Sequence, residues 1–190
     1  TTPFELDGSL DDGVVTIVSE KRIDNTYKSY MFNVESGETD SIVFRNVKIG
    51  YDINDGHSLP SIINADSVSG KILFENVNLF SSQNAIKVLH PELDLEIVNC
   101  SFDSVQANVV SGVPDDPLVQ TSNNYVSWKK AVIDNCLFRK CSNSIEGSAQ
   151  NHHSLLKISN CSFESCDYLV AGVAPDTVVV EKCNVNNCRT

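Results

Sequence analysis

The sequence predicts an all-β fold, a single-stranded right-handed parallel β-helix of about six to seven coils. Three observations carry the prediction. Six segments of one pattern recur: "IVFRNVKI" (42–49), "ILFENVNL" (72–79), "LEIVNCSF" (95–102), "AVIDNCLF" (131–138), "LKISNCSF" (156–163) and "VVVEKCNV" (178–185). Each alternates apolar and polar residues with the period of a strand. Each also changes the parity of that alternation at one residue, which a straight strand cannot do. No segment sustains the i, i+3, i+4, i+7 pattern of an amphipathic helix.

The parity change sits at Asn46, Asn76, Asn99, Asn135, Asn160 and, as the exception, Lys182. Before this anchor the apolar residues lie four and two positions upstream, as Leu156 and Ile158 do. After it they lie one and three positions downstream, as Cys161 and Phe163 do. A bend of one residue at the anchor turns all four toward one core. Asn is the non-glycine residue best suited to the left-handed conformation that such a bend requires. The anchors are separated by 30, 23, 36, 25 and 22 residues, so the short intervals define the unit and the long ones carry insertions. A further strand follows in each unit, with apolar residues at Ile86, Val109, Ile145 and Val170, closed in three units by Gly112, Gly147 and Gly172. Three strands, a bend and two turns per unit stack as a coil, with neighbouring coils pairing in parallel about 4.8 Å apart.

At the amino end "VVTIVSEKRI" and "YMFNVESG" have strand character, but no Asn marks a bend there. Residues 1–13 are expected to be a cap or lead-in and 14–190 one β-helix domain, excised from a longer chain if the open last coil is taken literally. That coil, "KCNVNNCRT", has no polar cap, which points to end-to-end association.

The seven cysteines fall into two columns when the coils are stacked. The first reads Val47, Val77, Cys100, Cys136, Cys161, Cys183; the second reads Asp52, Ser82, Val105, Cys141, Cys166, Cys188. Valine and cysteine share a column as small apolar fillers. Structural zinc uses tighter spacing and ligands that converge, whereas these line a column, so no metal ligand is assigned. A disulfide between neighbouring coils is the other chemistry open to them. Asn99-Cys-Ser and Asn160-Cys-Ser match the glycosylation triplet, but both asparagines serve the bend.

A net charge of −11 argues against nucleic acid and anionic membrane surfaces as partners, so no nucleic acid is expected. No apolar run approaches the roughly 18 residues of a membrane-inserted helix.

The repeat I-x-N-C-x-F, with Asn stacked at a bend, resembles the pectate-lyase-like right-handed β-helix superfamily over about residues 14–188. That resemblance implies the fold firmly and the activity loosely, since the superfamily spans polysaccharide lyases, glycoside hydrolases, epimerases, tailspikes and adhesins. Its lyases place an acidic calcium site and a basic residue on the outer face of one sheet. The matching face here offers Lys87 and Glu146 and no stacked aspartates. The aspartate motifs of its hydrolases are not present in that form.

Loops displayed by a rigid scaffold carry function. Two insertions, 112–130 and 147–154, share one corner, and His90 lies at the same corner one coil earlier. Stacking is expected to gather His90, Asp115, Asp116, Tyr125, Trp128, His152 and His153 as a carbohydrate platform, with aromatic rings against sugar faces. The competing reading is that Trp128 and Tyr125 pack the long loop against the coil. Asp52, Asp55 and His57 of a third insertion, 50–61, are expected to be solvated.

The expectation is therefore a non-catalytic extracellular or cell-surface β-helix that binds a polysaccharide or a host or cell-surface glycan, needing no cofactor unless calcium. A polysaccharide lyase or glycoside hydrolase acting on acidic polysaccharide is the first alternative. A structural segment of a longer fibre is the second.

Overall fold

The alternating segments form strands in the computed structural model, which describes residues 4–8, 15–19, 30–33, 41–51, 61–65, 68–112, 127–147, 154–171 and 176–189. The first coil carries β1 (Phe4–Asp7), β2 (Val15–Ser19) and β3 (Tyr30–Asn33); the second carries β4 (Ser41–Arg45), β5 (Val47–Tyr51) and β6 (Ser61–Ala65). The third carries β7 (Lys71–Glu75), β8 (Asn78–Ser82) and β9 (Ile86–Val88); the fourth carries β10 (Asp94–Val98), β11 (Ser101–Val105) and β12 (Asn108–Gly112). The fifth carries β13 (Lys130–Asp134), β14 (Leu137–Arg139) and β15 (Asn143–Gly147), and the sixth β16 (Leu155–Ser159), β17 (Ser162–Glu164) and β18 (Tyr168–Ala171). The seventh has β19 (Thr177–Glu181) and β20 (Asn184–Asn186).

Every third strand pairs with its counterpart one coil on, always in parallel. The result is three sheets: β1-β4-β7-β10-β13-β16-β19, β2-β5-β8-β11-β14-β17-β20, and β3-β6-β9-β12-β15-β18. This is the parallel β-helix that the repeat predicts, and no helix occurs among the described residues.

Residues 4–7, within the expected cap or lead-in, form a strand of the first sheet. They pair with the second coil in the register Phe4↔Ile42 and Leu6↔Phe44, so the Phe-x-Leu alternation supplies the first rung of the first sheet. Gly8 stands in the anchor column, its N–H bonded to Arg45 O at 3.0 Å, which is why no asparagine marks that bend.

The anchors adopt the conformation that the parity change requires. Asn46, Asn76, Asn99, Asn135 and Asn160 have φ between 52° and 55°, and Lys182 has φ 54°. Their side chains form part of a ladder along the stack. Asn46 Nδ2 donates to Asp7 Oδ1 at 2.9 Å, Asn76 Nδ2 to Asn46 Oδ1 at 3.1 Å and Asn135 Nδ2 to Asn99 Oδ1 at 2.7 Å. Their backbone N–H groups reach the following coil, as Asn135 does to Ser159 O at 3.0 Å. Sequence reasoning missed a second column of left-handed residues. Ser81, Ser104, Lys140, Ser165 and Asn187, each five residues after an anchor, have φ between 50° and 58°. This second bend separates the second sheet from the third.

Both sides of the anchor face inward. Phe44 stacks on Phe74 with centroids 5.0 Å apart, and Phe102, Phe138 and Phe163 form a continuous stack at 5.0 and 4.7 Å. Each fully buried ring contributes about 1.5–3 kcal/mol by burial and each stacked pair roughly 0.5–1.5 kcal/mol beyond it. The cysteine columns lie in this core as expected. Cys100, Cys136, Cys141, Cys161 and Cys166 are buried, Cys183 and Cys188 partly so, and all seven are free thiols.

Candidate functional site

The coil presents three outer faces, and their chemistry differs. On the first sheet charged side chains satisfy one another along the stack. Arg45 bridges Glu5 and Glu75 at 2.6 and 2.7 Å, Lys71 pairs with Glu96 at 2.7 Å, and Lys157 with Glu181 at 2.8 Å. On the second sheet Arg139 lies between Glu164 and Asp103 at 3.1 and 3.9 Å, and the Lys48 ammonium lies 5.0 Å from the Phe80 ring centroid. Such faces have little left to offer a ligand.

The third sheet is different. Its register aligns Asn64, Lys87, Ser111 and Glu146 in one row, one residue per coil. These residues alternate with Ile63, Ile86, Val110 and Ile145, which point into the core, so the row faces outward. Outward residues on a sheet are normally wet, yet Asn64, Lys87 and Ser111 are only 9 %, 2 % and 5 % exposed. The row is thus a covered polar strip in which amide, ammonium, hydroxyl and carboxylate follow one another about 4.8 Å apart. Lys87 was named as an outward base by sequence reasoning; its burial was not foreseen.

His90 and Trp128 are the described members of the expected carbohydrate platform. The fold does bring them to one corner, because His90 N–H bonds Ser127 O at 3.2 Å. His90 lies in a turn closed by Leu93 N–H to His90 O at 3.1 Å, and its Nδ1 accepts Glu92 N–H at 3.2 Å. Nδ1 as acceptor leaves Nε2 as the ring atom free to turn outward. Asp115, Asp116, Tyr125, His152 and His153 lie outside the described residues, as do Asp52, Asp55 and His57.

Trp128 does not have the exposed ring that the platform called for. It is 1 % exposed, and its ring lies where any Cβ at Gly147 would sit. A Cβ added at Gly112 would lie 2.9 Å from the same ring. Both glycines continue the inward column of the third sheet, so their missing side chains leave the space that the indole fills. Ser127 Oγ fixes the approach by donating to Gly112 O at 2.7 Å. Packing of the loop root against the coil, the competing reading, describes this ring. Gly112 and Gly147 were therefore the legible signal for a tucked tryptophan, and sequence reasoning took them only as strand closers.

The thiols form the remaining chemical cluster. Each Sγ reaches the carbonyl two residues back, at 3.1 Å for Cys161 to Ser159 O, 3.2 Å for Cys136 to Asp134 O and 3.7 Å for Cys166 to Glu164 O. Bonding to the neighbouring stacked thiol, with burial, pushes Cys136 and Cys161 well above the usual thiol range. In the pair Cys141–Cys166 the bond between the two raises Cys141 and lowers Cys166 to about 6. Among the described residues no three His, Cys, Asp or Glu side chains converge on one point.

No family model, no curated protein and no solved structure matches this chain.

Proposed function

We propose that the chain is a non-catalytic, glycan-binding β-helix of the pectate-lyase-like kind, displayed extracellularly or at the cell surface, with the outer face of the third sheet as its binding face. The observation that carries the reading is the row Asn64–Lys87–Ser111–Glu146. Amide, ammonium, hydroxyl and carboxylate at successive rungs are the groups that bind a polyhydroxylated polymer. His90, at the corner between the third and first sheets, extends the row with a ring nitrogen.

A second reading, cleavage of an acidic polysaccharide, has one observation in its favour. Lys87 stands one rung from the Ser111 hydroxyl and two rungs from the Glu146 carboxylate, an amine and an acid on one face.

Affinity electrophoresis against pectin, alginate, glycosaminoglycans and neutral glucans, with and without calcium, tests both readings. Binding retarded by one polysaccharide class and lost in Lys87→Ala, with no change in polymer length, is the expected result. Shortened polymer whose formation stops in Lys87→Ala replaces the binding reading with the cleavage reading. Equal mobility in every gel defeats both.

A further inference from the structure

We propose that the end of the second cysteine column, Cys166 and Cys188, holds a soft monovalent cation, Cu(I), between two stacked thiolates. The column is fixed by the coil: Asp167 N–H bonds Cys141 O and Arg189 N–H bonds Cys166 O, both at 3.0 Å, so Cys141, Cys166 and Cys188 lie on successive rungs.

The rung repeat selects among the chemistries open to two stacked thiols. A disulfide draws its two Cβ atoms to about 3.8 Å, closer than a rung repeat of about 4.8 Å. A tetrahedral ion needs four converging ligands, and a column supplies them only in a line. A zinc–thiolate bond is about 2.3 Å and a two-coordinate d10 ion holds its thiolates no farther away, so a linear S–metal–S unit spans at most about 4.6 Å, within one rung. A closed-shell d10 ion accepts that two-coordinate geometry, and soft thiolate ligands select Cu(I). Binding exchanges two thiol protons for one cation and leaves a single negative charge on the S–Cu–S unit. No electron is transferred.

Several features meet at this pair. Cys188 is only partly buried, so a cation has a way in. The Cys166 N–H already points at Cys188 Sγ at 3.3 Å, the donor that a thiolate there requires. Beside Cys166 lies the fully buried hydroxyl of Ser144, a hydrogen-bond donor for the second thiolate.

The test uses the whole reduced chain under anaerobic conditions, added to Cu(I) held by the coloured chelator bicinchoninate. The wild-type chain is expected to bleach the chelate. Cys188→Ser is expected to hold its tightest copper at least about tenfold more weakly, since even outer-shell partners cost that much. Cys183→Ser, at the end of the other column, is expected to match wild type. A chelate that keeps its colour, or a Cys188→Ser chain as effective as wild type, overturns the proposal. A readout that needs no variant accompanies it. Copper is expected to protect Cys188 of the wild-type chain from iodoacetamide, read by peptide mass, and alkylation of Cys188 at an unchanged rate counts against the site.

Discussion

The fifth and seventh coils carry the same bend in different surroundings. In the fifth, Asn135 takes φ 52°, donates to Asn99 Oδ1 at 2.7 Å and stands beside a fully buried Ile133 and Phe138. In the seventh, Lys182 takes φ 54° with no carboxamide to favour it, and the valines around it, Val178, Val180 and Val185, are 40 %, 51 % and 51 % exposed. A lysine in this conformation works against its own preference. The bend is therefore imposed by the ladder: the sixth coil's Asn160 N–H bonds Glu181 O at 3.1 Å and Asn184 N–H bonds Cys161 O at 2.9 Å, pinning both sides of residue 182. Asparagine lowers the cost of a geometry that the stack dictates.

The largest effect expected from this contrast lies in the core. Phe138 has a ring above and a ring below, at 5.0 and 4.7 Å. Phe138→Ala is expected to lose about 3–5 kcal/mol in urea denaturation, because stacked neighbours cannot close the cavity. Val180→Ala, in the half-exposed coil, is expected to lose less than about 1 kcal/mol. Comparable losses at the two sites would mean that the seventh coil is covered in solution.

The next effect lies in the bend. Asn135→Ala is expected to cost about 1–2 kcal/mol through the left-handed penalty, with a further contribution from the lost bond to Asn99. The reverse change at the outer coil, Lys182→Asn, is expected to stabilise by up to about 1 kcal/mol, in keeping with the several-fold enrichment of Asn in this region. Destabilisation by Lys182→Asn would show that the lysine does something at this corner other than turn the chain.

These same residues explain how far the sequence could be read. The first bend was legible because it changes the parity of alternation and falls on asparagine in five of the six repeat segments. The second bend was missed because it falls on serine in only three coils, on Lys140 and Asn187 in the others, and no asparagine column marks it. The cysteine columns followed from counting residues past the anchor. The outer row was legible only in part: Lys87 and Glu146 could be placed on one face, but the burial of Asn64, Lys87 and Ser111 depends on what lies over the sheet, which strand periodicity does not encode. The socket of Trp128 was illegible for a related reason. It is made by Gly112 and Gly147, two residues from successive coils, and only the stack puts them together.

The finest form of the comparison concerns the residue before each anchor, a carboxylate in both coils. Asp134 accepts Ser159 Oγ–H and Asn160 Nδ2–H, each at 2.7 Å, and those bonds hold its carboxyl below the usual carboxylate range. Glu181 is also held low, by its bond and ion pair with Lys157 at 2.8 Å. A depressed folded-state pKa contributes stability that is present above the unfolded value, about 3.9 for Asp and 4.3 for Glu, and is lost as pH falls through the folded value. Both carboxylates therefore sharpen acid unfolding below about pH 4, but through forces of different range. Raising salt to about 1 M shortens the Debye length to about 3 Å and screens an exposed ion pair far more than a neutral hydrogen bond. Carboxyl NMR titration in low and high salt should return Glu181 toward its ordinary value while Asp134 stays low. If Asp134 moves as far as Glu181, the neutral donors of the sixth coil are not what holds it, and the inner and outer coils are not distinguished at this position.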